Sequence, residues 1–218
     1  MDRRRLLWGA AVAAATGALP LITPAHAADR PRRPDGDATA PRGSHDPSFH
    51  SAHQRSEVDH PSAQWRPAAS ENYTASSRPT SYPVDFIVIH VTQETFADTV
   101  EIFQNPAKQV SAHYVVASSD GSVAQCVRER NVGWHAGNWD YNTRSIGIEH
   151  EGWVDQPAYF THALYESSAA LTASICDRYG IPKDRAHIIG HHEVPGADHT
   201  DPGPFWDWQR YIRLVNFA

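Results

Sequence analysis

Residues 190–204 hold a dense set of side chains that could do chemistry. Three histidines and three acids fall in this segment: His191, His192, Glu193, Asp198, His199 and Asp201. Prolines and glycines within the segment oppose its continuation as a helix or a strand. Neutral imidazole and carboxylate are ligands that zinc takes in catalytic sites, where three protein ligands leave a position open. The same composition would suit a polar surface loop with incidental histidines, so the surrounding elements must decide between the two interpretations.

Other chemistry-bearing residues fall on predicted strands near this loop. The loop follows a short apolar strand predicted over residues 186–190. A second buried strand is predicted over residues 85–91, and His90 lies at its carboxyl end. A third strand, over residues 145–151, alternates in polarity and places Glu149 on the face opposite its isoleucines. Side chains at strand ends and on a stiff loop can converge on one ion.

The remaining elements predict the fold class. Residues 112–117 and 122–127 flank Asp120-Gly121, which is a strong β-hairpin signal. Helical periodicity covers residues 95–104, 161–179 and 206–215. The order of elements is β-α-β-β-β-α-β-α, with mixed parallel and antiparallel signals. This predicts an α/β (α+β) domain in which helices pack on a single mixed sheet of about five strands.

The first 27 residues are typical of an export signal. A basic stretch with three arginines precedes an apolar run, and Ala25-His26-Ala27 forms a small-residue cleavage site. Paired arginines followed by leucines resemble a twin-arginine signal. A membrane anchor is the alternative, although the run is short for a span and contains Gly9 and Pro20. We therefore expect a secreted, extracytoplasmic protein with no membrane association after cleavage.

Composition divides the rest of the chain. Residues 28–80 contain one bulky aliphatic residue, Val58, and are predicted to form a disordered linker. Residues 81–218 are predicted to be a single domain with its own core. The whole chain has a net charge of −6, and removal of residues 1–27, with three Arg and one Asp, leaves −8. So acidic a protein is a poor partner for nucleic acid. The two cysteines, Cys126 and Cys176, could form a disulfide or remain buried thiols.

Several motifs along the chain resemble, in the same order, those of the zinc-dependent N-acetylmuramoyl-L-alanine amidases. This family shares a fold with T7-type lysozymes and peptidoglycan recognition proteins. The resemblance covers residues 82–218 and rests on seven motifs: Ile87-Val88-Ile89-His90, Val110-Ser111-Ala112-His113-Tyr114, Asp120-Gly121, Trp134-His135-Ala136-Gly137, Ser145-Ile146-Gly147-Ile148-Glu149, Gly190-His191-His192-Glu193 and Asp201-Pro202-Gly203-Pro204. Seven motifs in the family's order are far more specific than any one of them.

The resemblance implies a role for each matching residue. His90, His191 and Asp201 match the zinc ligands, with one Zn²⁺ per chain. Glu149 matches the acid that activates the attacking water. His199 stands where the family often has a lysine that polarises the substrate, and an imidazole supplies no fixed charge there. Trp134 and His135 could line the substrate groove, although core packing is an equal alternative for Trp134.

The function implied is hydrolysis of the amide between N-acetylmuramic acid and L-alanine in peptidoglycan. The expected partners are peptidoglycan or muropeptides, and the protein is expected to be monomeric. The rival hypothesis is a non-catalytic peptidoglycan-binding module of the same fold. A zinc amidase or peptidase acting on another amide is a third possibility, because the motifs separate substrates poorly.

Overall fold

The computed structural model describes residues 58–218 and contains a central sheet with helices on both faces. The strands are β1 (Ala63–Trp65), β2 (Tyr73–Thr74), β3 (Phe86–Val91), β4 (Tyr114–Val116), β5 (Val123–Gln125), β6 (Val132–Gly133), β7 (Ser145–His150) and β8 (Ile188–Gly190). The helices are α1 (Phe96–Gln104), α2 (Trp139–Arg144), α3 (His162–Tyr179) and α4 (Trp208–Phe217). Short 3₁₀ turns cover Ser70–Asn72, Pro157–Tyr159 and His191–Glu193.

Six strands form the central sheet in the order β1-β5-β4-β7-β3-β8. The predicted hairpin is present as the antiparallel pair β4 and β5, and the other neighbours run parallel. A separate two-stranded antiparallel sheet joins β2 and β6. The predicted fold class is thus confirmed, with one more strand in the main sheet than expected.

The two faces of the central sheet bury different cores. The larger core packs Ile87, Ile89, Ile146 and Ile148 against α3 and α4, through side chains such as Leu171 and Tyr211. The smaller core, on the other side of β4 and β5, contains Val115, Ala124 and Phe103 of α1. Period-two alternation along β3 and β7 therefore sends their isoleucines to the larger core and leaves His90 and Glu149 on the opposite face.

Helix α3 shows how the sequence defines the ends of an element. The Thr161 side chain accepts a hydrogen bond from the backbone N–H of Leu164, which satisfies a donor that the first turn leaves free. Gly180 ends the helix in the left-handed conformation, with φ of 70°, as glycine readily does. Both boundaries follow the sequence prediction.

Residues 58–80 differ from the predicted linker. β1 pairs in parallel with β5, and the backbone N–H groups of Arg66 and Ala68 donate to the carbonyl oxygens of Gln125 and Cys126, each at 2.9 Å. Arg78 is buried, with 4% of its surface exposed. The prediction assumed that a segment with so few bulky aliphatic residues cannot order, but residues 58–80 pack on a core that the rest of the chain supplies. The predicted signal (residues 1–27) and the rest of the predicted linker (residues 28–57) lie outside the described residues.

The two cysteines are free thiols in different cores. Cys126 packs in the smaller core and Cys176, on α3, in the larger one. Burial raises the pKa of each thiol to about 12. The open choice between a disulfide and buried thiols is settled in favour of thiols, because the sheet separates the two side chains.

Candidate metal centre

The candidate site lies where three parallel strands reach the same edge of the sheet. β3 carries His90 near its carboxyl end, and β7 beside it places Glu149 in register with His90. β8 lies on the other side of β3, and His191 follows it as the first residue of a 3₁₀ turn. Ligands of open parallel sheets bind beyond the carboxyl ends of the strands. The sheet topology therefore brings together residues that are far apart in the chain.

His90, His191 and Asp201 converge as one group. Their ligand atoms all lie within 4.8 Å of one another, and each residue is at most 7% exposed. His90 Nδ1 lies 3.3 Å from one carboxylate oxygen of Asp201, and His191 Nδ1 lies 3.1 Å from the other. Two imidazoles and one carboxylate form a three-ligand set of the kind that catalytic zinc takes, so the residues fit the metal that the sequence implies.

The protonation of these groups suits cation binding. Burial lowers the pKa of His90, which favours the neutral imidazole that a metal requires. Burial opposes ionisation of Asp201, but contacts with His191 and His90 hold the pKa of this carboxyl far below its usual range. Asp201 is therefore a carboxylate at neutral pH, with the neutral ring of His90 beside it.

Backbone contacts hold Asp201 in place. Its Oδ2 accepts a hydrogen bond from the backbone N–H of Val91 at 3.3 Å. Its own carbonyl oxygen accepts one from the backbone N–H of His192 at 3.1 Å and contacts His192 Nδ1 at 3.0 Å. The loop carrying Asp201 is thus attached both to β3 and to the turn after β8.

Glu149 lies beside the ligand cluster and has one buried carboxylate oxygen. Its Oε2 is buried and has no hydrogen-bond partner among the described residues, although the residue as a whole is half-buried. Burial, and then the negative charge of Asp201, raises the pKa of Glu149 well above its ordinary value. An unsatisfied buried carboxylate is costly, so its position beside the cluster is consistent with a proton or a ligand as its missing partner.

His199 and Trp134 lie farther out. The ring of His199 meets the ring of His191 edge-on, with 4.6 Å between centroids, while about half of the His199 side chain remains exposed. Trp134 is half-buried, and its indole N–H donates to the Thr74 hydroxyl at 2.9 Å. The structure thus joins His199 to the ligand cluster and attaches Trp134 to β2.

His135 is not placed as the sequence predicted. It is 7% exposed, and its Nδ1 lies 3.0 Å from Nε2 of His90, on the side away from Asp201. Burial lowers the pKa of His135 well below its ordinary value, so the ring is neutral. A buried ring in contact with His90 cannot line an open groove, and the prediction of a substrate-groove residue is corrected accordingly.

His150 is a residue of the site region that the sequence reasoning missed. It lies on the core face of β7, where its Nδ1 contacts the carbonyl oxygen of His90 at 2.8 Å and its Nε2 contacts the Ser168 hydroxyl at 2.6 Å. Burial lowers the pKa of His150 to about 3, which keeps it neutral. The available signal was a histidine among the isoleucines on the apolar face of β7.

Comparisons with known proteins agree with this geometry. The family model described as N-acetylmuramoyl-L-alanine amidase matches residues 80–204. N-acetylmuramoyl-L-alanine amidase A of Achromobacter lyticus is 36% identical over 176 residues, which are 73% of this chain and 96% of the relative. The 1,6-anhydro-N-acetylmuramyl-L-alanine amidase AmpD of Haemophilus influenzae is 38% identical over 53% of this chain and 62% of its own length. A crystal structure of a selenomethionine derivative of AmpD aligns with a TM-score of 0.59 and 27% identity, covering 72% of this chain and 98% of that chain.

Proposed function

Because this chain belongs to the N-acetylmuramoyl-L-alanine amidase family, we propose that it is an exported, zinc-dependent enzyme of peptidoglycan. The reaction is hydrolysis of the amide between the lactyl group of N-acetylmuramic acid and L-alanine, in the intact wall or in soluble muropeptides. The observation that carries this proposal is the buried cluster of His90, His191 and Asp201, with the unpartnered oxygen of Glu149 beside it.

The proposed roles follow from the surroundings of each side chain. His90, His191 and Asp201 would hold Zn²⁺, one per chain. Zinc in such a site supplies Lewis acidity, which polarises the amide carbonyl and makes water a better nucleophile. Glu149 would take a proton from the attacking water on its free oxygen and deliver it to the leaving amine of L-alanine.

Two outer residues complete the proposed site. His199, at the exposed rim of the cluster, would donate a hydrogen bond to the oxyanion that develops during attack. Trp134 would offer part of its half-buried indole face to the substrate. All these residues lie within residues 58–218 of one chain, so the proposed site needs no second copy, and a monomer is the proposed working form.

The composition of residues 1–27 supports export, with a basic stretch, an apolar run and a small-residue cleavage site. Within residues 58–218, no helix has the length and apolar character needed to cross a membrane.

The decisive experiment is Glu149→Gln in the zinc-loaded protein, which keeps the shape of the side chain but removes its basicity. Turnover of a soluble muropeptide, followed by mass spectrometry of the released L-alanine amino terminus, should fall about 10²–10⁴-fold. Zinc content and muropeptide affinity should stay unchanged, so the loss appears in kcat at a similar KM.

Glu166→Gln is the matched control, because Glu166 is an exposed residue of α3 that pairs with His162. It should leave turnover unchanged. A Glu149→Gln protein with full turnover would remove Glu149 from the chemistry. A wild-type protein that holds zinc, binds muropeptides and cleaves none would instead support the rival recognition module, and cleavage at another amide would support a different zinc amidase or peptidase.

A further inference from the structure

We propose that His135 and Ser145 are positioning residues that fix the tautomer of His90, so that its Nδ1 lone pair is turned to the metal site. This inference rests on the proposed function only in taking His90 as a zinc ligand. It gives His135 a role in metal affinity instead of substrate contact.

The Ser145 hydroxyl has one proton and lies between two possible partners. The Ser145 hydroxyl donates to the carbonyl oxygen of Tyr141 at 2.5 Å, one helical turn back. The same Ser145 oxygen lies 3.3 Å from Nε2 of His135. Since its proton is already committed, the Ser145 oxygen can only accept in this second contact. Nε2 of His135 must therefore carry the ring's hydrogen.

The position of this hydrogen on His135 determines where His90 carries its own hydrogen. A neutral imidazole has one N–H, so Nδ1 of His135 is left as an acceptor. That nitrogen lies 3.0 Å from Nε2 of His90, which must then be the donor. Nδ1 of His90 consequently carries a lone pair, and it is the nitrogen that faces Asp201 at 3.3 Å.

The opposite direction of the hydrogen bonds from Ser145 through His135 to His90 is disfavoured. If Nδ1 of His90 carried the hydrogen, Nε2 of His135 would need a donor and the Ser145 proton would have to turn toward it. The Tyr141 carbonyl would then face the Ser145 oxygen at 2.5 Å with no hydrogen between them. In the assigned tautomer the His90 Nδ1 lone pair faces the Asp201 carboxylate at 3.3 Å, which is also repulsive without a cation. Two bare oxygens at 2.5 Å repel more strongly than this longer contact, so the assigned tautomer is favoured.

The surroundings of His135 hold its ring in place. Its backbone N–H and that of Ala136 both donate to the side-chain oxygen of Asn142, at 3.0 and 2.8 Å. Its ring lies directly over Gly147, where a Cβ atom would come within 2.6 Å of it. Only glycine at position 147 leaves room for a ring that reaches His90 from behind.

The Nδ1 lone pair of His90 and the Asp201 carboxylate face each other, and a cation between them would be bound by both. A partner that accepts the second N–H of a ligating histidine fixes the ring and raises its basicity, and loss of such partners typically costs 10–100-fold in metal affinity. Here the partner is a neutral histidine, which is itself held by a serine.

The test compares His135→Leu with His135→Asn, two side chains of similar size that differ in hydrogen bonding. The Asn oxygen can take the place of Nδ1 and accept from His90, whereas Leu cannot. Zinc affinity, measured by competition with a chelator, should fall about 10–100-fold in His135→Leu and recover most of that loss in His135→Asn. Nitrogen-15 NMR of the zinc-free protein at neutral pH should show His90 protonated at Nε2 in wild type and His135→Asn, and a mixture of tautomers in His135→Leu.

Equal zinc affinity and an unchanged His90 tautomer in His135→Leu would overturn the proposal while leaving the proposed function intact. Failure of the wild-type protein to bind zinc would instead overturn the proposed function. If His135→Leu does not fold by circular dichroism, Ser145→Ala provides the second test. That variant should release the constraint on His135 and weaken zinc binding, and wild-type affinity with a single His135 tautomer would refute the inference.

Discussion

At the scale of single residues, several buried histidines of this protein have the same side chain but different hydrogen-bond partners. His90 contacts Asp201 on one side and His135 on the other, and its backbone carbonyl meets His150. His113 lies farther back, and the Gly147 N–H donates to its Nδ1 at 3.1 Å. Sequence motifs could identify such residues as a group. They could not separate a metal ligand from the ring behind it, because that difference depends on which atoms meet across β3, β7 and the loop before α2.

The burial of His113 predicts acid sensitivity. Burial, and then the charge of Arg78, holds the pKa of His113 well below its ordinary value. The unfolded chain therefore binds this proton first, and the stability due to neutral His113 is lost as the pH falls below about 6.5. Compared with His113→Asn, which keeps an acceptor for Gly147, wild type should lose about 1.4 kcal/mol more unfolding free energy per pH unit below that value.

Urea unfolding at several pH values measures the difference between the two proteins. Other buried histidines titrate in both, so they cancel in the comparison. Parallel stability profiles for wild type and His113→Asn would show that His113 does not take up a proton on unfolding.

At the scale of elements, the long segments were predictable and the short ones were not. α3 has an apolar stripe, an N-cap threonine and a terminal glycine, and these three signals agree. β1 has three residues of which none is fully buried, and it exists because backbone groups of β5 are available to pair with it. α2, for which no helix was predicted, has six residues and begins where the Asn138 side chain accepts from the Tyr141 N–H. Tertiary pairing and local caps, which composition does not reveal, determine such elements.

Residues 58–80 should matter for stability, contrary to the expectation that they belong to a disordered linker. Arg78 donates to the carbonyl oxygens of Glu129, at 2.7 Å, Thr143, at 3.0 Å, and Ser145, at 2.7 Å, and burial lowers its pKa to about 10. Leaving a buried acceptor unpaired costs about 1–3 kcal/mol. A chain beginning at residue 81 should therefore melt about 10 °C or more below one beginning at residue 58.

Differential scanning calorimetry compares three proteins, which begin at residue 28, residue 58 and residue 81. The chain beginning at residue 58 is the control, because it keeps β1, β2 and Arg78. Its melting temperature should equal that of the chain beginning at residue 28. Coincident melting of the chain beginning at residue 81 would show that the segment adds nothing.

At the scale of the whole molecule, the ligand cluster joins parts of the chain that lie far apart. His90 belongs to β3, His191 follows β8, and Asp201 lies in the loop before α4. The resemblance could predict which residues meet, since the motifs keep the family's order. It gave no account of the contacts behind the cluster, because Gly147 makes room for His135 only once β7 lies beside β3.

Such a cluster should couple metal binding to global stability. A ligand that binds only the folded state adds about 4.1 kcal/mol when its free concentration is 1,000 times Kd. Removal of zinc with a chelator should therefore lower the melting temperature, and added zinc should restore it. His191→Ala should abolish both zinc retention by elemental analysis and the response of melting to chelator, and full zinc occupancy in that variant would contradict the ligand assignment.

The separation of Cys126 and Cys176 by the sheet has a consequence for how the protein matures. The chain contains two cysteines, and neither forms a disulfide in the folded domain. Thiols with pKa values of about 12 are poor nucleophiles for exchange, so oxidants and mixed disulfides find little to react with. The domain can reach the same covalent state in a reducing or an oxidising compartment. Its folding therefore needs neither an oxidant nor a disulfide isomerase.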